Sequence, residues 1–247
     1  MKSICFYSCL LISFTFYSQD ALKQYVNVKY GVVQNIVELE NRFKNYKNKD
    51  NEFFKKAAKD MTEALVLSEN LMSFNLISNN HHTIFYRNEF LYPDGIDGLK
   101  RVYLENILNT EYFYSHQENE LLNISSFNNK KYLVNFNLEE VKWEILNETK
   151  IIHSFLCYKA IYTDKKNYKY TAWFTPEINF SVGPEFCYGL PGLVLEYNTE
   201  TFSIVCTGID FQLTDDDLKK LKVPEGEKIN QADFEEMIRK ARESFKN

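Results

Sequence analysis

The four histidines are the first residues in this sequence that could bind a metal ion or transfer a proton, because imidazole ligates zinc and titrates near neutral pH. They are His81, His82, His116 and His153. Adjacent strand residues point to opposite faces, so His81 and His82 can share a metal ion only within a turn. On one continuous strand, His153 and Cys157 would lie about 13 Å apart, too far to share a zinc ion. The pattern predicts no metal site and no cofactor.

The cysteines could form a disulfide bond. Cys5 and Cys9 fall in an N-terminal segment discussed below, which leaves Cys157, Cys187 and Cys206. An odd number allows at most one intramolecular bond, so one pair among these three can form, and their spacing does not decide which. The Cys-x-x-Cys spacing typical of zinc sites does not occur.

Catalytic and ion-binding motifs are absent from the sequence. The stretch from Asp94 to Glu105 has acidic ends twelve residues apart, as a calcium loop does. However, Ile96, Gly98 and Leu99 occupy positions that would need oxygen ligands or the turn glycine, so we reject a calcium site. The motifs of serine hydrolases, zinc proteases, phosphate loops and dinucleotide-binding folds do not occur. The sequence therefore predicts no catalytic residue.

The composition is that of a globular protein with a high share of aromatic residues. Of 247 residues, 45% are hydrophobic and 26% are charged, which excludes a disordered chain. The aromatic share of 16% favours strands, because aromatic side chains pack well on pleated, half-buried surfaces. The net charge of −5 offers no basic surface for phosphate groups, so we expect no nucleic-acid partner.

The N-terminus is typical of a signal peptide. Lys2 supplies a positive charge, and Ile4–Phe16 follows as thirteen residues without a charge. That run is shorter than the roughly 20 residues that span a bilayer. Cleavage near Ser18 would leave Gln19 as the first residue of the mature chain. We therefore expect a leader over residues 1–18, a single domain over 19–247 without a transmembrane segment, and export to the periplasm or the outer-membrane or extracellular side.

The first half of the chain predicts one helix and a series of hairpins. The helix spans Asn51–Leu65 and is capped by Asp50, because its apolar residues recur at three- and four-residue spacing. Before it, Ala21–Val33 alternates as a strand and Asn41–Asn51 has the polar composition of an exposed loop. Short aromatic segments separated by turn residues then predict a meander. Its strands are Val66–Ile77, Thr83–Phe90, Thr110–His116, Glu120–Phe127 and Lys131–Phe136.

The second half predicts further strands and a helical tail. Ile151–Thr163 is apolar on both faces and is predicted to be one long central strand. A hairpin follows through Asp164 to Tyr168–Thr175, and another joins Leu193–Tyr197 to Phe202–Phe211. Two helices are predicted in the tail, where the cap pairs are Thr214 with Asp217 and Asn230 with Asp233.

The prolines and glycines are concentrated in residues 176–192, which we call the Gly-Pro loop. Three of the five prolines and three of the eight glycines lie there, so the backbone path is tightly prescribed. Leu190-Pro191-Gly192-Leu193 has the chemistry of a type II turn, with proline second and glycine at the positive φ of the third position. The simpler interpretation is a shaped corner that leads into a strand, and the alternative is a rigid loop at a binding surface.

These residues carry a resemblance to a known family. Gly189–Val194 resembles the signature of the GLPGLI family, exported proteins of the Bacteroidetes without an agreed activity. Further agreement follows the family's order, with departures at Asn179, where the family commonly has proline, and at Val194, where it has isoleucine. The matching positions are Cys157, Lys159, Ala160, Trp173, Gly183, Pro184, Gly189, Leu190, Pro191, Gly192 and Leu193.

The resemblance implies a fold but no catalytic residue. Some members are similar to the bowl-shaped N-terminal domain attached to certain secreted glycan-releasing amidases, which implies a curved sheet used for binding. With the element pattern above, we expect an α+β, mainly β fold. It would be a curved antiparallel sheet or half-barrel with one helix in the N-terminal half and helices at the C-terminus. Lys159, whose charge falls on the predicted central strand, is expected to extend to solvent or pair with a carboxylate such as that of Glu196.

Three classes of function remain open from the sequence. The leading one is a non-enzymatic envelope protein that binds a peptide, a glycan or a partner protein, and it predicts an open aromatic concavity. The second is an exported hydrolase with a site assembled from residues distant in sequence, which predicts a cleft with convergent acids, histidines or Cys157. The third is a structural scaffold, which predicts no sizeable pocket.

Overall fold

The computed structural model describes residues 24–47 and 51–244, so the predicted leader over residues 1–18 lies outside it. Within these residues, twelve strands form one open, curved sheet. The strands are β1 (Tyr25–Gln34), β2 (Ser73–Asn79), β3 (His82–Arg87), β4 (Glu111–Ser115), β5 (Glu120–Phe127), β6 (Lys130–Phe136), β7 (Glu144–Ile152), β8 (Phe155–Thr163), β9 (Lys169–Thr175), β10 (Leu193–Asn198), β11 (Phe202–Asp210) and β12 (Glu227–Asn230).

The sheet has the order β12-β6-β5-β4-β3-β2-β1-β11-β10-β9-β8-β7. All of its strand pairs are antiparallel except β12 with β6, which is parallel. The α+β, mainly β class is therefore confirmed, and the expectation of a purely antiparallel sheet is corrected at this one edge. The parallel pair arises because the chain crosses from β11 through a short helix before it reaches the far side of the sheet.

Five α-helices accompany the sheet within the described residues. They are α1 (Ile36–Lys47), α2 (Glu52–Leu71), α3 (Gly98–Asn106), α4 (Asp215–Lys220) and α5 (Gln231–Ser244). The tail was predicted well, since Thr214 and Asp217 form a capping box at α4 and the Asp233 N–H donates to Asn230 Oδ1. The first half holds three helices where one was predicted. None of the described helices is both long enough and apolar enough to cross a membrane.

The loop predicted over Asn41–Asn51 is wrong, because most of it belongs to α1. Asn35 Oδ1 accepts a hydrogen bond from the Glu38 N–H at 3.3 Å and so caps this helix, which packs against α2. Leu39 is buried in α1 and so contributes an apolar contact that anchors this helix. A polar composition alone does not separate an exposed loop from an exposed helix.

The helices α2 and α3 also differ from the predictions. The strand predicted over Val66–Ile77 is wrong in its first half, because α2 continues to Leu71 and the strand starts at Ser73. Tertiary contacts hold the last turns of α2, since Gln34 Nε2 donates to Ser68 Oγ at 2.9 Å. The stretch rejected as a calcium loop forms α3, capped by Asp97.

The long central strand predicted over Ile151–Thr163 is wrong. His153 and Ser154 have φ values of 47° and 71°, and Ile152 pairs with Phe155, so a two-residue hairpin turn splits this stretch into β7 and β8. The sequence lacked the Asn-Gly or Asp-Gly signal of such turns. β7 lies at the edge of the sheet and leaves Ile151 65% exposed. The 13 Å separation expected for His153 and Cys157 on one strand therefore does not apply.

The Gly-Pro loop is packed into the main core. Its apolar side chains are at most 9% exposed and belong to the same cluster as strands β1, β2, β9 and β10. They are Ile178, Phe180, Val182, Phe186, Cys187, Tyr188 and Leu190. The loop therefore covers the sheet as part of the fold, which is unusual because loops generally run over the surface.

Candidate functional site: an aromatic pocket

A pocket of about 300 Å³ opens where the Gly-Pro loop meets strands β9 and β10. We call it the aromatic pocket, because five of its lining residues are Tyr168, Tyr170, Phe186, Tyr197 and Phe202. The turn between β10 and β11 adds Thr199, Glu200 and Thr201 to its rim, and Leu108 and Lys169 complete the lining with Glu185. The residues come from four separate parts of the chain, so the pocket exists only in the folded molecule.

The aromatic rings of the pocket pack against one another around Phe186. The Phe186 ring meets the edges of Tyr170 and Tyr197 at centroid distances of 5.1 and 5.8 Å. It also stacks on Phe136 at 5.4 Å. Tyr170 and Tyr197 lie parallel, 6.1 Å apart. Edge-to-face and offset contacts of this kind are favourable beyond simple burial, so the wall of the pocket is preorganised.

Glu185 is the one carboxyl group of this pocket that the fold buries. It is 9% exposed, and burial raises the pKa of its carboxyl to about 7. The nearby Tyr197 hydroxyl opposes that shift, although it does not meet the geometry of a hydrogen bond. Burial, with the Glu185 charge adding to it, raises the pKa of Tyr112 and Tyr197 well above their ordinary value. A buried carboxyl without a cation beside it is costly and calls for a ligand or a functional explanation.

The backbone holds Glu185 in an uncommon conformation. Its φ is 53°, within the left-handed region that side chains other than glycine rarely adopt. A hydrogen bond of 3.0 Å from the Cys187 N–H to the Pro184 carbonyl closes the turn around it. Strain of this kind persists only where surrounding structure determines it, and it is concentrated at functional sites.

Two of the three glycines that the loop shares with the family pattern, Gly183 and Gly192, allow close backbone approaches. A Cβ on Gly183 would lie 2.5 Å from the Val194 Cβ. At Gly192, φ is 149° and a Cβ would collide with the carbonyl group of Thr175. Only glycine fits at these positions, and both approaches press the loop that carries Glu185 onto the sheet.

The predicted type II turn is wrong in detail. The Gly192 N–H donates to the Leu190 carbonyl at 2.8 Å, which forms a three-residue turn around Pro191. The Leu193 N–H, which would close a type II turn, donates instead to the Ile178 carbonyl at 3.2 Å. The long-range bond ties the two ends of the loop together, so tertiary structure selected a tighter turn than the sequence indicated.

The other positions of the family pattern are divided between the core and a partly exposed cluster around Trp173. Cys157 and Ala160 are fully buried, and Trp173 lies between two lysines. Its ring centroid is 4.3 Å from Lys150 Nζ and 5.9 Å from Lys159 Nζ.

The expectation that Lys159 pairs with a carboxylate is confirmed, but the partner is Glu148 of β7 and not the suggested Glu196. Lys159 Nζ lies 2.9 Å from Glu148, and Glu196 pairs with Lys150 at 2.6 Å. The hairpin of β7 and β8 places Lys150 and Glu148 of β7 beside β8. One continuous strand would not bring these residues together.

The cysteines and histidines do not gather into a reactive centre. Cys157, Cys187 and Cys206 are all free thiols, so no pair among them is bridged. Burial raises the pKa of Cys157 and Cys206 to about 11. His153 Nε2 lies 2.8 Å from the Cys206 carbonyl oxygen, at the hairpin turn. Among the residues that the structure describes, no group of three potential metal ligands occurs.

The remaining histidines lie together at the other side of the sheet. The N–H groups of His81 and His82 both donate to Asn79 Oδ1, which places them in the turn that a shared metal would require. His116 Nε2 lies 2.9 Å from Thr83 Oγ1, and burial lowers its pKa to about 4. The backbone contacts of His81 and His82 stabilise the turn, and the ring of His116 contacts the Thr83 hydroxyl. We therefore interpret these histidines as structural residues.

Other cavities in the described part of the chain lack a buried titratable group in their lining. An apolar groove of about 340 Å³ lies between α2 and α3, where Phe53 is 68% exposed. A larger cleft of about 820 Å³ is lined by mixed polar and charged side chains near Lys131 and Lys220. The aromatic pocket alone combines aromatic walls with a buried carboxyl among these three, so it is the best candidate site.

The sequence did not predict Glu185 and the tyrosines of this pocket as site residues. Glu185 follows the Gly183-Pro184 step directly, and Tyr170 lies three residues before Trp173, so both were adjacent to recognised positions. Their burial and mutual approach depend on the path of the Gly-Pro loop across the sheet. A family alignment would be the sequence signal able to detect them.

Comparisons with known proteins identify a short family match and a fold likeness. A family model described as "Protein of unknown function (Porph_ging)" matches residues 163–196, which include Tyr170, Glu185 and the GLPGL run. No curated protein matches the sequence. Two solved structures of PNGF-II, in space groups C2 and P21, are 15% and 16% identical with TM-scores of 0.56 and 0.55. Each covers 89% of this chain, and the matched part is 33% and 34% of PNGF-II, respectively. The chain therefore spans about a third of the length of PNGF-II, and at this identity the likeness shows the fold alone.

Proposed function

We propose that this protein is an exported, non-enzymatic binding protein of the cell envelope that holds part of a peptide or glycan in the aromatic pocket. The observation that carries the proposal is a preformed aromatic cavity with one buried carboxyl, Glu185, at its lining. Binding sites for small ligands are typically concave and aromatic, with a few placed polar groups. A scaffold without a ligand would not need to bury an unpaired carboxyl beside a cavity.

The rim of the pocket suits a ligand that is partly apolar and partly polar. Tyr168 is 46% exposed and offers a ring face on which a sugar or an apolar side chain can stack. Thr201 places a hydroxyl group beside it, whereas the Thr199 hydroxyl forms hydrogen bonds within the turn. One ring face and a hydroxyl group would give modest affinity, as suits recognition of one unit of a longer polymer.

The GLPGLI assignment, the single domain over residues 19–247 and the export to the envelope belong to this proposal. The match of a family of unknown function over residues 163–196 supports the assignment, because that span contains most of the signature. Export is tested by expression in a Bacteroidetes host and N-terminal sequencing of the secreted or envelope fraction. The expected mature chain starts at Gln19, and a cytosolic chain that retains Met1 would contradict the proposal.

The binding function is tested with a glycan array and an array of envelope peptides, probed with the mature protein. Tyr168→Ala is expected to abolish most of the binding that the wild type shows, because it removes the exposed ring of the pocket. Phe53→Ala is the matched control, since it removes an exposed ring from a different site, the groove between α2 and α3. Loss of binding in Phe53→Ala alone, or no ligand on either array, would contradict the aromatic pocket as the site.

An exported hydrolase is the second candidate, and one observation favours it. The Glu185 carboxyl, with its pKa raised to about 7, has the property of a general acid, and Glu200 is a second carboxyl at the same pocket. The same arrays, read by mass spectrometry after incubation, distinguish the two candidates. Hydrolysis products that disappear in Glu185→Gln would establish the enzyme, and intact bound ligand supports the binding protein.

A further inference from the structure

We infer that the aromatic pocket takes the ammonium group of a primary amine, with Glu185 as its counter-ion and the rings of Tyr170 and Tyr197 as its walls. The inference rests on the proposed function of this pocket as a binding site and names the chemistry of the ligand. A lysine side chain or the free N-terminus of a peptide carries such a group.

The Glu185 carboxyl has no cation of the described residues as a counter-ion. Glu185 lines the pocket and is only 9% exposed. Among the described residues, no lysine, arginine or histidine shifts the pKa of its carboxyl. Lys169 also lines the pocket but does not influence Glu185. Burial alone raises the pKa of the carboxyl to about 7, so near neutral pH the group is poised between its two states. A bound cation would replace the lost hydration and restore the carboxylate.

A tyrosine hydroxyl beside the carboxyl can accept a further hydrogen bond. The Tyr197 hydroxyl is buried without a hydrogen-bond partner, and its ring borders the same cavity as Glu185. An ammonium group has three donors and no acceptor, so it can donate to the carboxylate and to this hydroxyl oxygen together. Buried polar groups without partners are rare in native structures, and a donor-rich ligand would satisfy the Tyr197 hydroxyl.

The walls of the aromatic pocket consist largely of aromatic rings. Aromatic ring faces attract cations, most strongly where water is excluded. Tyr170, Tyr197 and Phe186 are packed together beside the carboxyl, and the cavity of about 300 Å³ is the size of a side chain and smaller than a multi-residue ligand. One buried carboxyl and one carboxyl at the exposed rim supply too few oxygen ligands for calcium or magnesium, which require about six.

The groups that face Glu185 determine the pH dependence. They are the hydroxyls of Tyr112 from β4, Tyr170 from β9 and Tyr197 from β10, together with the adjacent Cys187 thiol. Burial raises the pKa of all four, to about 12 for Tyr170, so none of them ionises between pH 5 and 8. The affinity for an ammonium ion should therefore rise as Glu185 ionises through pH 7, and binding should release a proton below that pH.

The test is a calorimetric and NMR titration of the mature protein with n-butylammonium chloride, n-butanol and methyl β-glucoside. At pH 8 we expect n-butylammonium to bind at least about tenfold more tightly than n-butanol, because only the cation pairs with the carboxylate. Glu185→Gln should remove this preference. Glu144→Gln, the same change at an exposed position of β7 outside the pocket, should keep it within about twofold, since exposed charges are screened. Affinity for n-butylammonium should fall between pH 8 and pH 5.

Distinct results separate the failure of the inference from the failure of the proposed function. Equal affinity for amine and alcohol, or tighter binding of the glucoside that strengthens at low pH, would overturn the ammonium ligand and keep the pocket as a site. No shift of any pocket resonance with any probe, together with no array ligand sensitive to Tyr168→Ala, would overturn both. If Glu185→Gln does not fold, proton release by the wild type, measured in buffers of different ionisation enthalpy, decides the matter. Release of a proton at pH 6 supports the inference, and no release overturns it.

Discussion

The Tyr30 hydroxyl donates a buried hydrogen bond of 2.6 Å to the backbone carbonyl of Val194, across 164 positions of the sequence. Each partner of this bond lies next to an irregularity of the sheet. The pairing of β1 with β11 shifts register at Tyr30, and the pairing of β10 with β9 shifts register after Val194. The regular pairing of β10 with β11 begins only at Glu196, so the Val194 carbonyl lies outside that ladder. The bond ties the first strand to the end of the Gly-Pro loop.

Tyr30→Phe should lower the free energy of unfolding by about 1–3 kcal/mol, because it leaves a buried carbonyl without its partner. Urea denaturation monitored by circular dichroism measures this change. Tyr188→Phe is the control, because the Tyr188 hydroxyl is buried without a hydrogen-bond partner and its removal should be neutral or stabilising. Equal destabilisation by both substitutions would contradict the assigned bond.

Gly192→Ala and Gly189→Ala form a matched pair that separates backbone strain from collision. Both glycines have positive φ, 149° and 82°, but a Cβ at Gly189 meets nothing within 4 Å. Gly189→Ala should therefore cost about 1–2 kcal/mol from its left-handed conformation. Gly192→Ala should cost at least about 3 kcal/mol, because the added atom also collides with Thr175. Thermal unfolding measures both, and similar melting temperatures would contradict the close approach.

The burial of Glu185 should make stability depend on pH in the direction opposite to that of a salt-bridged carboxylate. Its pKa in the folded protein is about 7 and its ordinary value is 4.5, so the folded state holds the proton more tightly. The contribution to stability is complete below the ordinary value and is lost as pH rises through about 7. The loss amounts to about 3 kcal/mol at most.

Comparison of the wild type with Glu185→Gln isolates this contribution from that of all other titrating groups. The difference between their free energies of unfolding should change by up to about 3 kcal/mol between pH 4.5 and pH 8, in favour of the variant at high pH. Chemical denaturation at several pH values provides the measurement. A constant difference across this range would show that Glu185 is ionised in the folded protein as in water.

The three thiols should be inert in the native protein. Cys157, Cys187 and Cys206 are buried, and burial raises their pKa values, so little reactive thiolate forms at pH 8. Iodoacetamide should modify them only after unfolding in urea, with three alkylated residues by mass spectrometry. Fast labelling of the native protein would contradict their burial, and a single alkylated thiol in the unfolded, unreduced mature chain would reveal a disulfide bond.

Local signals predicted the elements whose geometry depends on neighbours in sequence. The turn before β9 was predicted from Asp164–Asn167, and Asp164 Oδ1 indeed accepts hydrogen bonds from the N–H groups of Lys166 and Tyr168. The capping box of Thr214 and Asp217 was readable for the same reason, because donor and acceptor lie three residues apart. The α+β class followed from the sum of such segments.

The sequence by itself thus determined the strand-rich fold class, most hairpins, the helical tail and the glycine requirement at Gly192. Tertiary structure alone decided that His153 and Ser154 reverse the chain, that α1 forms, and that Glu185 is buried among Tyr112, Tyr170 and Tyr197. The physical reason is that turns and caps are energetically local, whereas the burial of a carboxyl depends on which distant segments exclude water from it. The candidate site could therefore be identified only from the packing of the Gly-Pro loop across β9 and β10.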